Sequence, residues 1–205
     1  GLLMKREGLY VGPHGVNGAK YRACQFLVRR AHEAGARHLV SASSVLSPQS
    51  AMASVVAADN GMDCTVIVGG TTPEKAVRHT PIRIAKEAGA TITSIGVGYN
   101  PALQRAARDL VELLGEAAWR LPYGITTDSG VEDFLRVGAQ QVENLPDTIR
   151  TLVIPFGSGN TASGVLYGLS KVKRPRDLER VVLMGIGPDK LSWATHRLES
   201  VGVPL

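Results

Sequence analysis

Only two of the 205 residues are cysteine, Cys24 and Cys64. Neither a disulfide framework nor a metal site follows from so few. Both fall within apolar patterns, one helical and one strand-like, where buried structural thiols are found. The five histidines (His14, His32, His38, His79 and His196) lack metal-ligand spacing, so no metal is expected. No apolar run approaches ~18 residues, so no membrane span or membrane partner is expected. The opening Gly-Leu-Leu-Met-Lys-Arg-Glu has no signal-peptide apolar core, which makes a reducing cytoplasm the expected location. Aromatics are scarce, at 5%. The net charge is +5 and the pI about 9.4, yet there is no basic tail and no RNA-binding signature. The dispersed basic residues admit anionic partners: phosphate esters, a cofactor phosphate or nucleic acid.

What the chain does have is glycine, 23 residues of it, and a regular alternation of apolar runs. Short β-type runs are expected at 37–42, 63–68, 90–97, 118–123, 151–155 and 180–186. Helical spacing is expected at 20–34, 49–60, 74–88, 101–114, 130–144, in the segment ending at 169, and at 190–200. Gly35, Gly61 and Gly89 stop three of these helices. Residues 2–10 read as a short strand or extended arm. Strand and helix alternating in this way mean βαβ units and parallel sheets flanked by helices. In such sheets ligands sit at the carboxyl ends of strands, where the polar and glycine-rich turns fall.

Three stretches stand at such places. Gly15-Val16-Asn17-Gly18 makes a tight loop, and Lys20 follows at the junction with a helix. A lysine there loses stability in its charged form near the positive end of the helix, and partial burial would lower its pKa further. A neutral amine is what a Schiff-base lysine needs, although a solvated surface lysine is the plainer reading. Ser41-Ala42-Ser43-Ser44-Val45-Leu46-Ser47-Pro48-Gln49-Ser50 offers more hydroxyls than one helix cap uses. It reads either as over-provided capping or as a site for a substrate carboxylate. Gly157-Ser158-Gly159-Asn160-Thr161 joins a strand to a helix and offers N–H groups and hydroxyls to an anion. It is neither a Walker A loop nor a complete dinucleotide fingerprint.

In this order the three stretches resemble the fold type II pyridoxal-phosphate (PLP) enzymes, tryptophan synthase beta-like. The resemblance is strongest to the 1-aminocyclopropane-1-carboxylate deaminase and D-cysteine desulfhydrase group. Lys5-Arg6-Glu7 resembles that group's basic-acidic arm, and Gly18-Ala19-Lys20-Tyr21-Arg22 its Gly-Asn-Lys-x-Arg. Val40-Ser41 through Ala57 resembles its strand, Ser-Asn turn and Ala/Val-rich helix. Tyr123 and Thr126-Thr127-Asp128 resemble its Pro-Tyr segment. There are departures: Ala19 and Pro48 stand where the group has Asn, and no partner for the pyridine nitrogen is evident. The resemblance implies an α/β fold of two lobes, reduced in length. Residues 1–46 and 126–205 would form a large cofactor-binding lobe and 47–125 a small one, with the cofactor in the cleft between them.

The resemblance also assigns roles. Lys20 would carry PLP as an internal aldimine and act as general base or acid. Gly157, Ser158, Gly159, Asn160 and Thr161 would hold the phosphate. Ser47 would be a catalytic proton donor, and Ser44, Ser47, Gln49 and Tyr123 would bind substrate. The implied activity is that of a lyase or deaminase acting on an amino acid or amino-acid-like substrate, as a homodimer. The Ser-Pro-Gln turn also resembles PLP proteins of bacterial viruses associated with amino-acid adducts of thymine, which makes a modified DNA base a second candidate substrate. A third reading is a non-catalytic PLP- or phosphate-binding subunit. A fourth is a nucleotide-binding α/β domain.

Overall fold

The computed structural model describes residues 1–127, 129–186 and 189–204. It divides into two compact units, Gly1–Ile125 and Thr126–Leu205.

In the first unit, α1 spans Ala19–Glu33, β1 His38–Ala42, α2 Pro48–Asp59, β2 Asp63–Gly69, α3 Pro73–Ala76, α4 Thr80–Glu87, β3 Thr91–Ile95, α5 Asn100–Leu114 and β4 Ala118–Arg120. The strands form one parallel sheet in the order β3-β2-β1-β4. Register is set at the amino end, where His38 lies opposite both Asp63 and Ala118. Residues Cys64–Val68 of β2 are all buried, because parallel strands are covered on both faces. Helix α5 packs on the sheet through Leu103 and Ala107 against Val40, Ala42 and Ile67. Helix α2 is buried from Gln49 through Ala57 on every side. A helix apolar all round belongs inside, and its alanines and serines let α1 and α4 pack against it.

In the second unit, α6 spans Val131–Ala139, β5 Thr151–Phe156, α7 Asn160–Lys171, β6 Arg180–Gly185 and α8 Leu191–Glu199. Strands β5 and β6 pair in parallel, Thr151 opposite Arg180. Helices α6 and α7 cross at Gly138 and Gly164. A Cβ on Gly164 would stand 2.7 Å from the Cα of Gly138, so the crossing needs both glycines. Val142, Ile154, Phe156, Ala162, Val165 and Ala194 share the core of this unit.

Residues 1–46 fall in the first unit together with 47–125, and there β1 is hydrogen-bonded between β2 and β4. The helix expected over 74–88 is corrected to two, α3 and α4, since Pro81 stands in the first turn of a new helix that starts at Thr80. Of the two readings of residues 2–10, strand or extended arm, the strand is not found. The segment forms a single 3-10 turn over Glu7–Leu9, and Val11 makes a lone bridge with Asn17.

Candidate active site

Lys20 is the second residue of α1, directly behind the left-handed Gly18 that precedes the helix. Cys24, Leu27 and Ala31 continue from it at helical spacing and are buried. Lys20 itself is exposed, and its side chain makes no hydrogen bond or ion pair among the described residues. The partial burial expected for it is not found: burial in α1 begins with the next residue, Tyr21. The arm holds this helix start in place. Glu7 pairs with Arg22 at 3.6 Å and with Lys5 at 3.1 Å. The Arg22 guanidinium lies 3.8 Å from the centre of the Tyr10 ring, whose hydroxyl donates to Gln25 Oε1. On the loop, His14 faces Glu87 at 4.0 Å. Burial, with Asp59 second, raises the Tyr21 hydroxyl above its ordinary pKa.

The serine turn leads from β1 into α2. Ser47 caps the helix, its Oγ accepting from the Gln49 N–H at 3.3 Å. Pro48 suits the first helical position, where an N–H would have no partner. Ser44 is exposed, and its Oγ accepts from the Leu46 N–H. Ser43 and Ser50 hydrogen-bond each other at 2.8 Å, buried. Gln49 turns inward: it is 4% exposed, reaches Ser41 Oγ with Nε2 and accepts the Gly124 N–H on Oε1 at 3.0 Å. Its side chain is therefore buried. Tyr123, half exposed, accepts from Asn100 Nδ2 at 3.0 Å.

Within the first unit the structure thus brings the serine turn, Gln49 and the Tyr123–Gly124 segment together. Gln104 and Arg120 join the same group: Gln104 donates to the carbonyl of Ala42, and Arg120 donates to Gln104. Sequence reasoning passed over both, since their partners lie 62 and 16 residues away.

The glycine loop lies in the second unit. Gly159, with φ +83°, caps α7, and the first intrahelical bond runs from Ser163 N–H to the Gly159 carbonyl. The N–H groups ahead of Ser163 therefore have no partner in the helix. The hydroxyls of Ser158 and Thr161 make no hydrogen bond among the described residues. Asn160 Oδ1 is held by the Thr126 hydroxyl at 3.1 Å. Gly159 rests on Trp193: a Cβ there would stand 3.0 Å from Cζ3 of the ring. The Arg197 guanidinium lies 5.1 Å from the centre of the Trp193 ring and 5.3 Å from that of the Phe134 ring. Asp128, next to Thr126 and Thr127 in the segment matched to the Pro-Tyr region, lies outside the described residues.

Comparison with known proteins gives these findings. A family model for pyridoxal-phosphate dependent enzymes matches residues 1–199. The O-seryl-dTMP PLP-dependent decarboxylase of Salmonella phage ViI is 34% identical over 198 residues, 93% of this chain and 46% of that protein. The 1-aminocyclopropane-1-carboxylate deaminase of Methylobacterium nodulans is 28% identical over 186 residues, 85% of this chain and 55% of that one. Among solved structures, a homologue of that deaminase superposes with a TM-score of 0.72 at 20% identity, covering 98% of this chain and 62% of its own. Maize serine racemase gives 0.60 at 14% identity, covering 80% and 46%. The fold is that of fold type II PLP enzymes, and the chain spans about half the length of the curated relatives it matches.

The residues fit this cofactor. The loop at Gly157–Thr161 offers N–H groups and two hydroxyls to a phosphate, and its left-handed Gly159 packs so closely on Trp193 that a side chain there would strike the ring. Lys20 offers an accessible amine to an aldehyde.

Proposed function

This chain belongs to the pyridoxal-phosphate dependent enzyme family, and on that premise we propose that it decarboxylates an amino acid carried on a thymine nucleotide. One observation carries the choice of reaction: the phage decarboxylase is 34% identical over 198 residues, whereas the deaminases match at 26–28%. Lys20 is the residue to which the cofactor attaches, and Gly157–Thr161 holds its phosphate. Bound there, PLP supplies an electron-accepting ring for the bond that breaks at the α-carbon. When Lys20 is free, its side chain in the ammonium form would donate a proton to the α-carbon in place of the departed carboxyl group and become the neutral amine. Ser44 and the N–H groups at the start of α2 orient the substrate's carboxylate. Ser47 accepts the cap bond from Gln49 and keeps its own O–H to donate toward the substrate.

The test is product analysis with two substrates. PLP-loaded protein is given O-seryl-thymidylate and, separately, 1-aminocyclopropane-1-carboxylate. The proposal expects carbon dioxide from the first. Ammonia from the second, with no carbon dioxide from the first, would favour deamination, the reading supported by the deaminase relatives and the 0.72 superposition. A protein that binds PLP and releases neither product contradicts both readings.

A further inference from the structure

We propose that Gln49 is a positioning residue, a clamp that fixes the left-handed turn at Tyr123–Ile125 and thereby sets where the Tyr123 phenol stands. For Tyr123 as part of the substrate site, this rests on the function proposed above; the clamp itself does not.

The turn is an improbable one. Gly124 and Ile125 both have positive φ, +78° and +57°. Glycine adopts this freely, but a β-branched residue there is strained. Ile125 is 1% exposed, so burial of its side chain opposes the strain. Two backbone bonds flank the turn, Leu121 N–H to the Val40 carbonyl and Ile125 N–H to the Pro122 carbonyl. The Gly124 N–H is held by neither, and Gln49 Oε1 takes it at 3.0 Å. Because a backbone N–H only donates, the carboxamide must present its oxygen there, which turns Nε2 toward Ser41 Oγ at 3.4 Å. The clamp therefore runs from β1 through α2 to the turn. Tyr123 sits on that turn, with its hydroxyl tied, among the described residues, only to Asn100.

Hydrogen exchange on the full chain tests it. In the wild type the Gly124 amide is expected to be protected although it lies in a loop; an unprotected Gly124 amide overturns the clamp. Gln49→Met keeps the volume and removes both polar ends. It should speed exchange at Gly124 about tenfold, the loss of one buried hydrogen bond, with β1 and β2 amides unchanged. Gln49→Glu keeps the acceptor and should restore protection. With PLP loaded, Gln49→Met should raise KM several-fold more than it lowers kcat and leave the cofactor's visible absorbance in place. Unchanged Gly124 exchange, or uniform acceleration through β1 and β2, overturns the clamp. A loosened Gly124 with unchanged KM overturns its link to Tyr123 and substrate. If the wild type turns over no amino acid, the proposed function fails, while the exchange results still decide the clamp.

Discussion

Two loops in this chain occupy the same place in a βα unit, after a strand and before a helix, and are built in opposite ways. In the serine turn after β1, polar groups face one another: Ser43 bonds Ser50, Gln49 bonds Ser41 and Gly124, and Ser47 caps α2. In the glycine loop after β5, the N–H groups ahead of Ser163 and the hydroxyls of Ser158 and Thr161 have no such partners among the described residues. The difference teaches that an abundance of hydroxyls does not by itself make a binding site. The serine turn is chiefly a braced corner with Ser44 left outside it, and the glycine loop is a set of donors without an acceptor.

The comparison can be broken most severely at Lys20. Lys20→Ala should abolish covalent PLP attachment and lower turnover by about 10²–10⁴-fold, the range for a lost general acid–base group, measured by absorbance and steady-state rates. Gly159→Ala should follow, because it places a side chain at φ +83° and 3.0 Å from Trp193. It should cost about 1–2 kcal/mol of stability by thermal melting and weaken PLP binding by titration. Ser158→Ala and Thr161→Ala should weaken PLP without moving the melting temperature. Ser47→Ala should do the reverse, costing about 1 kcal/mol through loss of the α2 cap while leaving PLP affinity alone. If Ser158→Ala melted early and Ser47→Ala released PLP, the contrast between the loops would be wrong.

Smaller effects concern the thiols and one carboxylate. Burial raises the thiol pKa of Cys24, and that of Cys64 is pushed up to about 12, chiefly by burial. Neither should react with a thiol reagent at pH 8 until the chain is unfolded. In the second unit, the Tyr167 hydroxyl and Arg136 hold the Glu132 carboxyl below its ordinary pKa. A depressed carboxylate stabilises at neutral pH, and that contribution is lost as pH falls through the lowered pKa. The melting temperature of the wild type should therefore exceed that of Tyr167→Phe at pH 7 by slightly more than at about pH 3.

Much of this was legible in the residues. The alternation of apolar strands and glycine-stopped helices announced parallel α/β units, since Gly35, Gly61 and Gly89 each follow a helix end and have positive φ. The loop–helix junctions before Lys20 and at Gly157–Thr161 were legible as local structure because a tight loop before a helix has a local signature. What no local pattern records is long-range. The pairing of β1 with β2 and β4 joins segments far apart in the chain. Gln49 reads in the sequence as a substrate-binding residue, and its hydrogen bond to Gly124, 75 residues away, has no local signature. Pro81, by contrast, was a visible breaker whose weight in splitting α3 from α4 was underestimated.

Reductive trapping tests the central claim most directly. The chain is incubated with PLP, reduced with borohydride, digested and mapped by mass spectrometry. A single phosphopyridoxyl label on the peptide containing Lys20, abolished by Lys20→Ala and diminished by Gly159→Ala, is the predicted result. A label on other lysines with none on Lys20, at PLP concentrations that saturate the visible band, would contradict the account.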